Sequence, residues 1–366
     1  MRALLLAAAC VHFGTPIAVA QKVGDTVVVV ADDAKLRVNG KFIHRIDRGE
    51  QLKIEQLDES WYLVTAYHGQ GYVHRGDAVL LDQAIDYFTD AILQEPDAFN
   101  YVHRASVWST MGELDAAMRD FDEAVRLDPD SEYVYLARVQ EWHKRGNLDK
   151  AIADETELIR LNPTKSERHF GRAVSWEEKG EYGLAIDDLN EAIRLNPEAT
   201  RYIHYRAAVY REIRNFEMAI SDLTEMIRRK PKSSSGYAYR GEVHNDNGDF
   251  GNAITDFNEG MRVEPDAVVC PYQLAMLLAS CPDAKFRDGK RAVELATKIC
   301  EKCKWEINPA MTTLAAGYAE IGDFENAVKW QEKAADLADD AKMKAEFHAR
   351  LELYKFHRSY RRESKR

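Results

Sequence analysis

Cysteine, proline and glycine are all scarce, at 5, 10 and 20 of 366 residues. So few cysteines cannot staple a miniature scaffold that lacks a core. So few glycines and prolines exclude a collagen-like chain and a proline-rich linker. An excess of positive charge is missing too. Fifty basic against 61 acidic residues leave a formal net charge of −11, so there is no chain-wide basic footprint for nucleic acid. Past the N-terminus no stretch approaches the roughly 18 apolar residues of a bilayer-spanning helix. Catalytic and metal signatures are absent: no His-Glu-x-x-His, no Walker loop, no Gly-x-Ser-x-Gly and no regular His/Cys ligand spacing. Hence no enzyme, no cofactor, no metal site and no catalytic residue is expected. What is present is the balance of a folded chain, 45% hydrophobic and 30% charged. The length suits two or three domains of about 150 residues, or one long repeat array.

The chain begins with Arg2 and an apolar run over residues 3–11, and Ala18-Val19-Ala20 precedes Gln21. A short basic start, an apolar segment and a small-x-small pattern are what a signal peptidase reads. Residues 1–20 are expected to be a signal peptide, and the protein to be exported, periplasmic or secreted. The alternatives are a misplaced start codon or an apolar first strand. A lipid anchor on Cys10 is disfavoured, because Ala7-Ala8-Ala9 lacks the usual leucine.

Residues 22–81 have strand character. Val27 to Val30 form a β-branched run, Asn39-Gly40 is a hairpin turn signal, and Trp61-Tyr62-Leu63-Val64 alternates. Five or six short strands in such a segment predict a small all-β barrel. The spacing of Gly49, Trp61, Gly71-Tyr72-Val73 and Val79 resembles bacterial Src-homology-3-like domains. That resemblance implies cell wall or a peptide as ligand.

The strongest signal is periodic. Pro129, Pro163, Pro197, Pro231 and Pro265 are each 34 residues apart. Self-similarity of this length means stacked repeats, each one supersecondary unit. Counting from residue 98, position eight is Ala105, Val139, Ala173, Ala207 and Gly241, and position twenty is alanine in all five repeats. Small residues at both places let two antiparallel helices approach closely. Each proline then ends a second helix, since it lacks the N–H and restricts its predecessor. Trp108, Ala117, Phe121, Ala124 and Pro129, like Tyr182, Ala185, Leu189, Ala192 and Pro197, closely resemble the tetratricopeptide repeat. The second repeat departs from the pattern, with Glu155 and Leu158. The expected fold class is mainly α, a tetratricopeptide-type α-solenoid of antiparallel helix pairs behind the small β barrel. Its parts are a capping half-repeat helix at 82–97, five repeats at 98–267, two further repeats at 268–338 (the first with a long loop), and a cap helix with basic tail at 339–366.

Two charged series keep the same step. Arg104, Arg138, Arg172, Arg206 and Arg240 stand at position seven, and Asp120, Asp154, Asp188, Asp222 and Asp256 at position twenty-three. They read either as an arginine spine awaiting an anion or as structural ion pairs. Equal numbers in locked register favour pairs, acting as a register device.

The resemblance implies a concave groove lined by the first helices, holding a protein or peptide segment. The positions that face it carry Tyr133, Leu136, Gln140, His143, Lys144, Phe170, Glu177, Arg201, His204, Arg211, Glu242 and Asn245. Position six carries His103, Ala137, Gly171, Tyr205 and Tyr239, so the Asn/Lys carboxylate clamp of one subfamily is missing. The expected function is an interaction scaffold or adaptor, with no nucleic acid partner and the β unit as accessory module. The competing class is a metal-binding or thiol-redox protein using Cys270, Cys281, Cys300 and Cys303. Finally, residues 355–366 carry six basic and one acidic residue. They read as a frayed helix end whose cations suit a C-terminus, or as a patch for an anionic surface.

Overall fold

The structure is a computed structural model that describes residues 22–38, 40–67, 69–306 and 308–362. The expected signal peptide with Cys10, and Asn39 of the hairpin signal, lie outside the described residues. The chain divides into two compact units, Met1–Leu161 and Asn162–Arg366.

The first unit opens with seven strands: β1 (Thr26–Val29), β2 (Lys35–Val38), β3 (Lys41–Arg45), β4 (Gln51–Leu57), β5 (Trp61–Ala66), β6 (Gly69–His74) and β7 (Ala78–Leu80). They form one sheet in the order β3-β2-β6-β5-β4-β1-β7, antiparallel throughout. The β-branched run is buried on both sides. Val27 and Val29 join Leu36, Ile54, Tyr62 and Val73 in the sheet's own core, while Val28 and Val30 pack on Ala84 and Phe88 of the first helix. The barrel expectation needs correcting. The sheet ends at β3 and β7, which do not pair with each other among the described residues. β7 is three residues long and passes straight into helix α1 (Leu81–Gln94), so nothing carries that edge round to β3.

Gly49, in the turn before β4, sits at φ +85°, and a Cβ there would lie 2.1 Å from His103 Nδ1. Both the left-handed backbone and the close approach demand glycine. Gly49→Ala is expected to cost about 2–4 kcal/mol, combining left-handed strain with overpacking. An unchanged melting temperature would contradict this.

The helices continue as hairpins: α2 (Ala98–Thr110) with α3 (Leu114–Leu127), and α4 (Glu132–Lys144) with α5 (Leu148–Leu161). The second unit holds α6 (Ser166–Glu178) with α7 (Tyr182–Leu195), α8 (Thr200–Glu212) with α9 (Phe216–Arg229), and α10 (Ser234–Asp246) with α11 (Phe250–Val263). It ends with α12 (Val269–Ser280), α13 (Gly289–Lys302), α14 (Asn308–Glu320), α15 (Phe324–Asp336) and α16 (Ala341–Lys355). The alanines at positions eight and twenty are fully buried where the paired helices touch. The inter-helix turns need a left-handed residue: Gly112, Gly146, Gly180 and Gly248 supply it, and Arg214, at φ 59°, takes that place in the fourth hairpin. Between α12 and α13 runs a longer loop with one 3₁₀ turn (Ala284–Phe286). It is tied back by Asp288 N donating to Leu278 O at 3.0 Å and Arg287 Nη1 donating to Cys281 O at 3.0 Å.

Candidate functional site: the charged face of the first helices

The two charged series meet as bidentate pairs between the helices of each hairpin. In the first unit Arg104 Nε lies 2.8 Å from Asp120 Oδ2, and Arg138 Nη2 lies 2.6 Å from Asp154 Oδ1. In the second, Arg172 reaches Asp188 at 2.8 Å, Arg206 reaches Asp222 at 2.6 Å and Arg240 reaches Asp256 at 2.7 Å. The aspartates are buried and the arginines mostly so. Several of these arginines turn a third donor to the second helix of the preceding hairpin. Arg138 Nη1 meets Asp122 at 2.8 Å, Arg206 Nη1 meets Asn190 at 2.5 Å and Arg240 Nη1 meets Thr224 at 3.0 Å. Such guanidinium groups join three helices and are committed to the scaffold.

The expected groove residues divide between the units. In the first, Tyr133 is exposed and stacks on Phe99, with ring centroids 5.1 Å apart. These rings, with His103, Arg48, Asp47 and Asp97, line a cavity of 450 Å³. Burial, aided by the Arg48 charge, holds the His103 imidazole down at about 4. Leu136 packs beside Tyr135 and Val139, Gln140 is exposed, Lys144 lies 3.6 Å from Glu141, and His143 lies 3.8 Å from the buried Glu155.

In the second unit, several of the expected residues are tied to one another or to neighbours. Phe170 meets Tyr205 edge-on at 5.2 Å, and His204 stacks on Tyr239 at 3.9 Å. Arg201 pairs with Glu167 at 2.8 Å. Arg211 bridges Glu242 at 3.0 Å and Asp246 at 2.5 Å, and Asn245 is half-buried beside them. Burial raises the Glu242 carboxyl above its ordinary range although Arg211 pulls it down. Around this network opens a cavity of 570 Å³ lined by Glu177, Tyr205, Arg211, Glu212, Arg214 and Asp246, among others. Tyr205 donates to Glu177 at 3.1 Å, and burial followed by that carboxylate pushes its phenol up to about 12. The cavity can hold a polar segment through paired charges and one tyrosine. Arg214 and Phe216 were missed by sequence reasoning. They belong to the turn and the second helix, outside the first-helix positions considered.

The β unit carries a smaller cleft of 270 Å³ between Arg37, Asp58, Trp61 and Tyr72. The cysteines offer little to the competing class. Cys270, Cys281, Cys300 and Cys303 are free thiols, the first three buried, and burial pushes Cys270 and Cys300 up to about 11. A thiol so raised holds almost no thiolate near neutral pH. Among the described residues no group of three or more His, Cys, Asp or Glu could hold a metal ion. Among them, too, no helix is long and apolar enough to cross a membrane.

Comparison with known proteins gives the repeats a family. The tetratricopeptide repeat family matches residues 100–131 and 144–200. Curated proteins provide no match. Among solved structures, yeast Tom70 is similar at 18% identity and a TM-score of 0.52, over 75% of this chain and 59% of that one. The chain thus spans little more than half of Tom70. A tetratricopeptide repeat protein from Parabacteroides merdae is similar at 17% identity and a TM-score of 0.49, over 70% of this chain and 98% of that one. YrrB, described as a tetratricopeptide protein with an unusual peptide-binding site, is similar at 18% identity and a TM-score of 0.40, over 51% and 96%. Residues 100–131 and 144–200 are tetratricopeptide repeats, and the described helices stand in a tetratricopeptide solenoid-like arrangement.

Proposed function

We propose that the protein is an exported, non-catalytic scaffold that holds a peptide or protein segment on the first helices of its repeats. The observation that carries this reading is the 570 Å³ cavity of the second unit. Its walls offer donors and acceptors from both charge signs, while the arginines at position seven are held inside the hairpins. A rigid surface with preset charges binds an extended segment without first being ordered itself. The leader-like residues 1–20 support export, and cleavage ahead of Gln21 is checked by N-terminal sequencing of the protein from a cell envelope fraction. The cleft beside Trp61 and Tyr72 supports an accessory role for the β unit, toward cell wall or peptide.

The groove reading is tested with an array of extended twelve-residue peptides probed with the full chain. Ala208 lines the cavity and is exposed, so Ala208→Trp fills the space without touching the core. A subset of peptides is expected to bind the parent chain and to lose at least about tenfold in affinity to the variant, the cost of blocking a contact surface. Peptides that bind both proteins equally, or no binding at all, would defeat the reading.

A further inference from the structure

The described part of the basic tail, up to Arg362, does not simply fray. Helix α16 stops at Lys355, and His357, at φ 55°, turns the chain and stacks on Phe324 with centroids 5.0 Å apart. The next residues run back over the second unit. Ser359 Oγ donates to Ala319 O at 2.9 Å, and the Arg350 guanidinium covers the Tyr360 ring at 4.4 Å. Arg361 Nη2 lies 2.6 Å from Glu320 Oε2. The Arg362 backbone N–H donates to Ser280 O at 3.0 Å, and its guanidinium stands 3.6 Å from Asp246 Oδ1. Glu320, Ser280 and Asp246 are the last residues of α14, α12 and α10. The tail therefore crosses the C-terminal ends of three successive first helices, where free carbonyls and the helix dipole favour cations.

The carboxylates it meets belong to a longer row. Glu212 ends α8 and Glu178 ends α6, and both side chains are exposed. Asp246 and Glu212 also line the 570 Å³ cavity, so Arg362 stands at its edge. Each carboxylate under the tail already holds an internal arginine: Arg287 is 2.9 Å from Glu320, and Arg211 is paired with Asp246. The tail's arginines are more exposed than these and bind from outside.

We propose that this acidic row is a docking track for an arginine-rich, extended peptide, and that residues 358–362 are its built-in occupant, which such a partner displaces. The proposal rests on the reading of the second unit as a segment-holding surface and names the partner's chemistry. The tail's guanidinium groups are 37% and 40% exposed and lie over carboxylates already paired from inside, so salt screens these contacts and the tail is releasable. Its tethering gives it an effective concentration on the order of millimolar, so a free peptide competes poorly until the tail lets go.

The probe is a fluorescein-labelled peptide with the sequence of residues 355–366, beside a control in which its arginines are alanine. Both are titrated by fluorescence anisotropy into the full chain and into its R361A/R362A variant. The probe is expected to bind the variant at least about tenfold tighter than the parent, the gain from removing a tethered competitor. The control peptide is expected to show no binding, and adding Asp246→Asn to the variant should abolish the gain. Equal affinity for parent and variant, or equal binding of the control peptide, overturns the proposal. Should the variant melt early, hydrogen exchange on the parent chain decides. Residues 357–362 are then expected to exchange faster with unlabelled probe present, and unchanged exchange overturns the proposal. If the peptide array yields binders blocked by Ala208→Trp that are not basic, this inference falls and the groove reading stands. If no peptide of any kind binds, both fall.

Discussion

Arg138→Ala is expected to destabilise the first unit by about 3–5 kcal/mol, because it removes one member of a buried ion pair and leaves the other. Asp154 is 5% exposed and accepts from Arg138 Nε at 2.8 Å, from Arg138 Nη2 at 2.6 Å and from Trp142 Nε1 at 3.1 Å. After truncation the carboxylate keeps only the indole donor. The third donor, Nη1 to Asp122, is lost as well, which loosens α4 from α3. Arg126→Ala is the control. Arg126 pairs with Glu123 three residues earlier on the open face of α3, and its loss should cost no more than about 0.5 kcal/mol. Replacing both partners, as in Arg138→Met with Asp154→Leu, is expected to recover most of the loss, because no buried charge is stranded. Guanidinium titrations followed by far-ultraviolet circular dichroism compare the parent with the three variants. Equal losses for Arg138→Ala and Arg126→Ala would show that the ladder is ornamental.

The helical fold was legible because a stacked hairpin imposes chemistry at fixed places. Proline must end the second helix, a left-handed residue must close the turn, and alanine must sit where two axes approach. Each demand recurs every 34 residues, so the pattern survives where single positions fail, as at Glu155 or Arg214. The third contact of the arginines was not legible. Its acceptors are Asp122, Asn190 and Thr224, which share a place in the repeat but no residue type. The β unit was readable as strands but not as a closed or open sheet. Closure depends on whether the edge strands reach each other, and a three-residue β7 leaves no pattern to count. The positions expected to face a groove could be named from the sequence, but the contacts their side chains make with one another could not. His204 and Phe170 spend their faces on Tyr239 and Tyr205, and Arg211 is held by two carboxylates. The docked tail was hidden for another reason. Arg362 and Asp246 are more than a hundred residues apart, and no periodicity links them.

The stability of the first unit is expected to fall by about 3 kcal/mol as pH drops from 6.5 to 4, on account of His103 alone. This ring is 8% exposed, wedged against Gly49, Phe88 and Tyr133. Burial, then the Arg48 charge, lowers its pKa from 6.5 to about 4, against the smaller opposite pull of Asp97 and Asp32. The folded value thus lies below the unfolded one. Between the two, the unfolded chain takes up a proton that the folded chain refuses. Stability from this group is therefore complete above pH 6.5, declines as pH falls toward 4, and is flat below that. Carboxylates elsewhere add their own acid dependence, so the useful quantity is a difference. The parent and His103→Gln are unfolded by denaturant at intervals from pH 7.5 to 4. Glutamine cannot titrate, so the variant should be the less stable protein at pH 7.5 and should lose the deficit as pH falls, the two curves converging by about 3 kcal/mol. Parallel curves would mean that His103 keeps an ordinary pKa and that the ring is wetter than its packing implies. Convergence would instead make the contact between the β4 turn and α2 the acid-sensitive joint of this unit, because charging the buried imidazole that fills the space above Gly49 costs the folded state.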